Sequence, residues 1–197
     1  MKKIYSTLLF ILLLCNGSVW AGDVEDADAA LRRNDYTTAL TKYKIAALKK
    51  DAYAQTQVGN FHNEGLGVIQ DYAEAVHWYK LAAAQGNVFA QYNLALKYEN
   101  GQGVVQDYAE AVRLYKLAAA QGNAEAQTNL GAMYTSGQGV VQDYIRAHMW
   151  FNLGAVKGYS TAVKNRDIVA KWMTSQQIAE AQKMARECQA RDFKNCD

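Results

Sequence analysis

The chain nearly repeats itself every 36 residues, and that period restricts its fold more than any other feature. Residues 71–106 read DYAEAVHWYKLAAAQGNVFAQYNLALKYENGQGVVQ, and residues 107–142 read DYAEAVRLYKLAAAQGNAEAQTNLGAMYTSGQGVVQ. The same frame extends back to Asp35-Tyr36 and forward to Asp143-Tyr144. A fixed period of this length marks a solenoid, in which each unit buries its apolar face only against its neighbours. Such a chain offers a surface to a partner more readily than one deep catalytic pocket.

Each repeat contains two amphipathic helical patterns. The first spans Asp107 to Gln121 and opens on Asp107 with Glu110 three positions later, the spacing of a capping box that satisfies free amides at a helix start. Ala111, Leu114, Tyr115 and Ala118 follow at helical spacing, and Gly122-Asn123 supplies the left-handed stop. The second pattern runs from Ala124 to about Ser136, and Gly137 to Val140 turns the chain, with Val140 expected to tuck into the core. Aligned by the period, Tyr36, Tyr72, Tyr108 and Tyr144 form one column and Ala39, Ala75, Ala111 and Ala147 another. Tyr43, Tyr79, Tyr115 and Phe151 form a third. Recurrent small residues let helices approach closely while the aromatic rings supply buried area, so these columns predict architecture.

The pattern D-Y-x-x-A-x-x-W/L-Y-K-x-A-A-A-x-G-N-x-x-A-Q-x-N-L-x-x-x-Y-x-x-G-x-G-V resembles the Sel1-like repeat family, relatives of tetratricopeptide repeats. The resemblance covers residues 35–160. It is tightest in the two central units and weaker at 35–70, where Lys49-Lys50-Asp51 replaces Gln-Gly-Asn and His62 replaces the late tyrosine. It implies an all-α, right-handed α-solenoid of stacked helical hairpins that serves as a protein-interaction scaffold, often exported in bacteria. The expected organisation is a leader over 1–21, an N-terminal capping helix within 22–34, repeats at 35–70, 71–106 and 107–142, a degenerate repeat at 143–173, and a C-terminal capping helix with a cysteine tail at 174–197. The first cap is expected over residues 23–33. The second opens on the capping box Thr174-Ser175-Gln176-Gln177 and turns Glu180, Lys183, Arg186 and Glu187 to solvent. Terminal units of a solenoid need such polar faces because no neighbour covers them.

The first stretch reads as a secretory leader. Lys2 and Lys3 precede an apolar run from Ile4 to Leu14, and Val19-Trp20-Ala21 places cleavage after Ala21. The run is shorter than the ~20 apolar residues that span a bilayer. Cys15 would suit a lipoprotein signal, but the bulky Leu14 before it argues against that reading. A periplasmic or secreted location is therefore expected, without stable membrane insertion. Losing the leader removes two of the 21 basic residues and none of the 19 acidic ones, which leaves a neutral chain. Nucleic-acid binding needs clustered excess Lys and Arg, and no such cluster is present.

Cys188 and Cys196 remain, an even count that suggests a disulfide in an exported protein. Continuous helix would hold them ~12 Å apart, so the helix must end near Ala190 and fold back. A redox pair is the weaker reading, because the spacing is not C-x-x-C.

Chemistry is sparse. His62 sits in the tyrosine column of Tyr98 and Tyr134 and reads as a packing residue. His148 replaces Val76 and Val112, compatible with a partly buried position or an exposed contact, and His77 falls in a variable, solvent-facing column. None has metal-ligand spacing with another or with a cysteine. Ser136, Ser160 and Ser175 lie outside G-x-S-x-G and S-x-x-K motifs, and the G-x-G fragments read as turns between helices. Neither a catalytic constellation nor a cofactor site is expected.

Binding is expected on the first helix of each hairpin, which the family resemblance places on the concave face. Glu74, His77, Trp78 and Lys80 recur one period later as Glu110, Arg113, Leu114 and Lys116, with Trp150 continuing the tryptophan column. Arginine and aromatic side chains are enriched at binding hot spots, although the same indoles could sit between helices. The expected activity is non-enzymatic binding of a protein or peptide by a monomer. The alternative is a cell-wall hydrolase or peptidoglycan-binding protein.

Overall fold

The computed structural model describes residues 22–156 and 158–196; the expected leader lies outside them. The described residues are helical without a strand. Helix α1 covers residues 22–32. It is followed by α2 (Tyr36–Leu48), α3 (Ala52–Glu64), α4 (Tyr72–Ala84), α5 (Val88–Asn100) and α6 (Tyr108–Ala119). The remaining helices are α7 (Ala124–Ser136), α8 (Tyr144–Ala155), α9 (Ser160–Ala170) and α10 (Ser175–Ala190). None is long and apolar enough to cross a membrane. Two compact units divide the chain after Gln85.

In the first unit, α1–α4 enclose a core in which Tyr43, Val58, Phe61 and Trp78 pack among alanines from α1, α2 and α3. The small residues set the spacing, and the rings fill it: Tyr43 meets Phe61 edge-on with centroids 5.8 Å apart. In the second unit, Leu94, Tyr115, Leu130, Met133, Phe151 and Val169 are buried at successive helix contacts. The terminal α10 packs against α8 through a face containing Ala181, Ala185 and Cys188, while Glu180, Lys183, Arg186 and Glu187 are exposed. Its capping box forms as the sequence predicts, with Gln177 N donating to Thr174 Oγ1 and Thr174 N donating to Gln177 Oε1. Beyond Ala190 the chain folds back and a disulfide joins Cys188 to Cys196, with Cα atoms 5.1 Å apart.

The repeated aspartates act differently from the expected capping box. Asp71 and Asp107 each accept a hydrogen bond from the amide three residues on, at 3.0 Å. The reciprocal half is missing. The amide of Asp107 already donates to Tyr98 O at 3.0 Å, and those of Asp71 and Asp143 donate to His62 O and Tyr134 O. The loop closes on the helix before it, so the glutamate at the third position is free for other contacts.

The loop glycines are fixed by geometry. Gly137 ends α7 in the left-handed region at φ +75°. Gly139, at φ +71°, brings its backbone against the start of α6, where an added Cβ would lie 2.3 Å from Tyr108 O. In the divergent first repeat, Lys50 takes the left-handed turn position at φ +70° that Gly86 and Gly122 occupy later. Buried glutamines add a recurring tie: Gln55 and Gln127 each donate to a carbonyl in the last turn of the preceding helix, Ala47 O and Ala119 O, at 3.1 Å.

Candidate binding surfaces

In the first unit, the side chains singled out on α4 divide between core and solvent. Trp78 is buried at 8% exposure, and its indole Nε1 donates to Glu74 Oε1 at 2.8 Å, one helical turn back. His77 meets Trp78 edge-on at 5.5 Å and is exposed, as is Lys80. The indole therefore supports the surface, and Glu74, His77 and Lys80 form it. His62 is buried, with neither ring nitrogen hydrogen-bonded among the described residues, and burial pushes its pKa below the ordinary histidine value.

In the second unit, the equivalent face of α6 carries a forked ion pair. Arg113 donates through Nε and Nη2 to the two carboxylate oxygens of Glu110, each at 2.7 Å, which holds the guanidinium pKa above its usual value. Glu110 is available for this because the amide of Asp107 is taken by Tyr98. Trp150 is 2% exposed, so its ring is a core group, and its Nε1 has no hydrogen-bond partner among the described residues. His148 is also buried, and that burial lowers its pKa.

Lys116 belongs to a cleft that includes residues not singled out in the sequence. A cavity of about 290 Å³ is lined by Lys116, Tyr134, Val140, Val141, Gln142, Asp143 and Arg146. The Lys116 ammonium lies 5.9 Å from the Tyr134 ring centroid and the Arg146 guanidinium 6.0 Å from it, both within cation–π range. Arg146 also pairs with Asp143 at 2.6 Å. Val140 is half-buried at the cleft wall and Val141 is 88% exposed beside it. The sequence carried one signal for this place: Glu74 and Glu110 are replaced in the fourth unit by Arg146, which reverses the charge of the column.

Three repeats of the Sel1 family model fit residues 52–87, 88–123 and 124–159. The chain belongs to the Sel1 repeat family. Members generally mediate protein–protein interactions and are typically non-enzymatic scaffolds. Two solved structures agree with this Sel1 assignment. One is a protective antigen present in uropathogenic Escherichia coli strains, displaying an SLR fold, 31% identical with a TM-score of 0.73 over 79% of this chain. The chain spans only 34% of the length of that antigen. The other is a Sel1 repeat protein from Oxalobacter formigenes, 27% identical with a TM-score of 0.66, covering 84% of this chain and 75% of its own. No curated protein matches the chain. Among the described residues no group of three His, Cys, Asp or Glu side chains is placed to hold a metal ion.

Proposed function

We propose that this Sel1 repeat chain is an exported, monomeric scaffold that binds a protein or peptide segment in its repeat groove and catalyses no reaction. The family carries the general reading, because Sel1 repeats are interaction modules. The observation that carries the specific one is the cleft around Tyr134, where two cations, one carboxylate and an exposed valine converge on an aromatic wall. Such a surface combines area with charge and loses little entropy on binding, because its side chains are already held. Lys2, Lys3 and the apolar run after them support export to the periplasm or medium.

The test is affinity capture from the native envelope, comparing the wild type with a Lys116→Glu/Arg146→Glu double variant of matched melting temperature. Loss of the main captured protein is expected; retention of every partner refutes the placement of the surface. Mass spectrometry of the exported protein should find a chain beginning at Gly22, and an intact Met1 would refute export by a cleaved leader. Titration with soluble peptidoglycan should give neither heat nor product, and a product would replace scaffold with hydrolase.

A further inference from the structure

In the second unit, the junction of α7, α8 and α9 departs from the one before it at several equivalent positions together. Around Tyr115 the surface is polar: its hydroxyl donates to Glu99, and Asn129 Nδ2 donates to that hydroxyl at 3.0 Å. One period later Phe151 stands for Tyr115, Thr135 for Glu99, Ala132 for Leu96 and Trp172 for Ser136. The hydroxyl and its carboxylate are gone, and the smaller Ala132 opens space where Leu96 would have filled it. What results is a crevice of about 190 Å³ among Ala132, Phe151, Ile168 and Trp172 with no charged lining. Trp172 is 55% exposed and leans on Tyr144, with ring centroids 5.5 Å apart. Asn165, equivalent to Asn129, also lines the crevice, where Phe151 offers no hydroxyl.

We propose that this crevice seats one aliphatic or aromatic side chain of an acidic peptide segment, with Asn165 meeting the peptide backbone. The inference rests on the reading of the chain as a protein-binding module and names the partner chemistry. Small-molecule sites usually occupy ~300–1,000 Å³, so this volume suits a single side chain acting as an anchor. Charge selects the flanks. Lys164 lies on α9 four residues before Ile168, and Lys171, the C-cap of α9 with right-handed backbone, lies three after it, so both fall on the Ile168 side, exposed and without an ion pair among the described residues. The nearest carboxylate on α9, Asp167, is already paired with Arg166 at 2.8 Å. A segment with Asp or Glu within a few residues of its apolar anchor therefore fits, and a basic segment does not.

The test is panning a phage-displayed library of random nonapeptides against the intact chain, followed by fluorescence anisotropy of the enriched peptides. Enriched peptides should carry Leu, Ile, Met or Phe with Asp or Glu within three positions. Ile168→Asp and Ala132→Glu, which change exposed positions, should each weaken binding about ten-fold or more. Lys164→Glu/Lys171→Glu should weaken it about ten-fold at low salt and less at high salt. Lys183→Glu, on the exposed face of α10, should leave it unchanged. Peptides without acidic residues, or unaffected by Ile168→Asp and Ala132→Glu, overturn the crevice and leave the binding-module reading standing. A dimer in sedimentation that Ile168→Asp dissociates, with no peptide competing, overturns it in favour of a second copy as occupant. A library with nothing above a non-repeat control protein overturns both readings.

Discussion

Two neighbouring glycines allow the close approach of loop and helix to be weighed separately from backbone strain. Gly137 and Gly139 both lie in the left-handed region, at φ +75° and +71°. An L-residue there costs ~1–2 kcal/mol from Cβ and carbonyl crowding alone. At Gly137 the added Cβ meets nothing closer than Gln142 Cβ at 3.4 Å, an ordinary contact. At Gly139 it meets Tyr108 O at 2.3 Å, Tyr108 C at 2.5 Å and Ala109 N at 2.9 Å. These are backbone atoms at the start of α6, so no rotamer change relieves them, and overpacking of this kind adds ~1–3 kcal/mol. Gly137→Ala should therefore cost ~1–2 kcal/mol and Gly139→Ala ~2–5 kcal/mol. The assay is urea unfolding followed by circular dichroism, with equal m values required before the midpoints are compared. At about 2–4 °C per kcal/mol for a chain of this size, Gly139→Ala should also melt ~4–20 °C below wild type. If the two variants fall within ~0.5 kcal/mol of each other, the loop does not rest on α6 as the structure has it.

Other substitutions test the remaining links. Lys50→Gly should stabilise the chain by ~1 kcal/mol, because it relieves the left-handed lysine at φ +70°; a lower urea midpoint would contradict this. His62→Tyr should raise the melting temperature, since tyrosine fills this column at Tyr98 and Tyr134 and removes a buried ring whose nitrogens have no partner among the described residues. Burial holds the His62 and His148 pKa values below the ordinary 6.5 in the folded chain. The unfolded chain therefore takes up these protons first as pH falls, and stability drops below about pH 6.5. His62→Tyr should lose less stability than wild type between about pH 7 and pH 5; parallel losses would remove His62 from the account. Reducing Cys188–Cys196 should cost ~2–3 kcal/mol, the value for closing a loop this short, measured as a melting shift that a Cys188→Ser/Cys196→Ser variant no longer shows.

Most of the helices were legible because they carry their own start signals in the chain, an Asp, Asn or Thr cap, whereas α9 begins after Tyr159 with no capping side chain. The capping box at Thr174 gave the start of α10 at Ser175, and the two cysteines required the fold-back that follows Ala190. The glutamate of the repeated Asp-x-x-Glu was not legible. Its expected partner, the amide of Asp107, is taken by the carbonyl of Tyr98, nine residues earlier, and that bond exists only once the loop has closed. The two tryptophans were ambiguous for a different reason: Trp150 lies within a broadly buried face of α8, but Trp78 sits where the exposed and buried arcs of α4 meet. There a change of a few degrees in helix rotation decides whether an indole faces solvent. The structure turns both inward, Trp78 with Glu74 to satisfy its Nε1 and Trp150 with no partner among the described residues.

The period also fixes how often the pattern recurs without fixing where a unit begins. Cutting at Asp71 and Asp107 pairs helices across the short Gly-Asn turn, whereas the Sel1 frame cuts at Ala52, Val88 and Ala124 and pairs them across the G-x-G-V loop. Within the second unit, α7 shares more surface with α8 than with α6. Both connections are tied by backbone bonds, the short turn through Asn123 N to Ala118 O at 3.2 Å and the longer loop through Asp143 N to Tyr134 O at 2.9 Å, which spans nine residues. The bond that bridges the loop reaches from the start of α8 back into α7 and holds the two in register, while the Gly-Asn turn closes locally on the end of α6 through left-handed Gly122. The two proposed binding surfaces follow the same boundary. The cleft at Tyr134 uses the end of α7, the loop and the start of α8, with Lys116 reaching in from α6, and the crevice at Phe151 uses α7, α8 and the helix after them. Both surfaces depend on the α7–α8 pairing, so a substitution that loosens that loop should weaken binding at either place before it unfolds a helix.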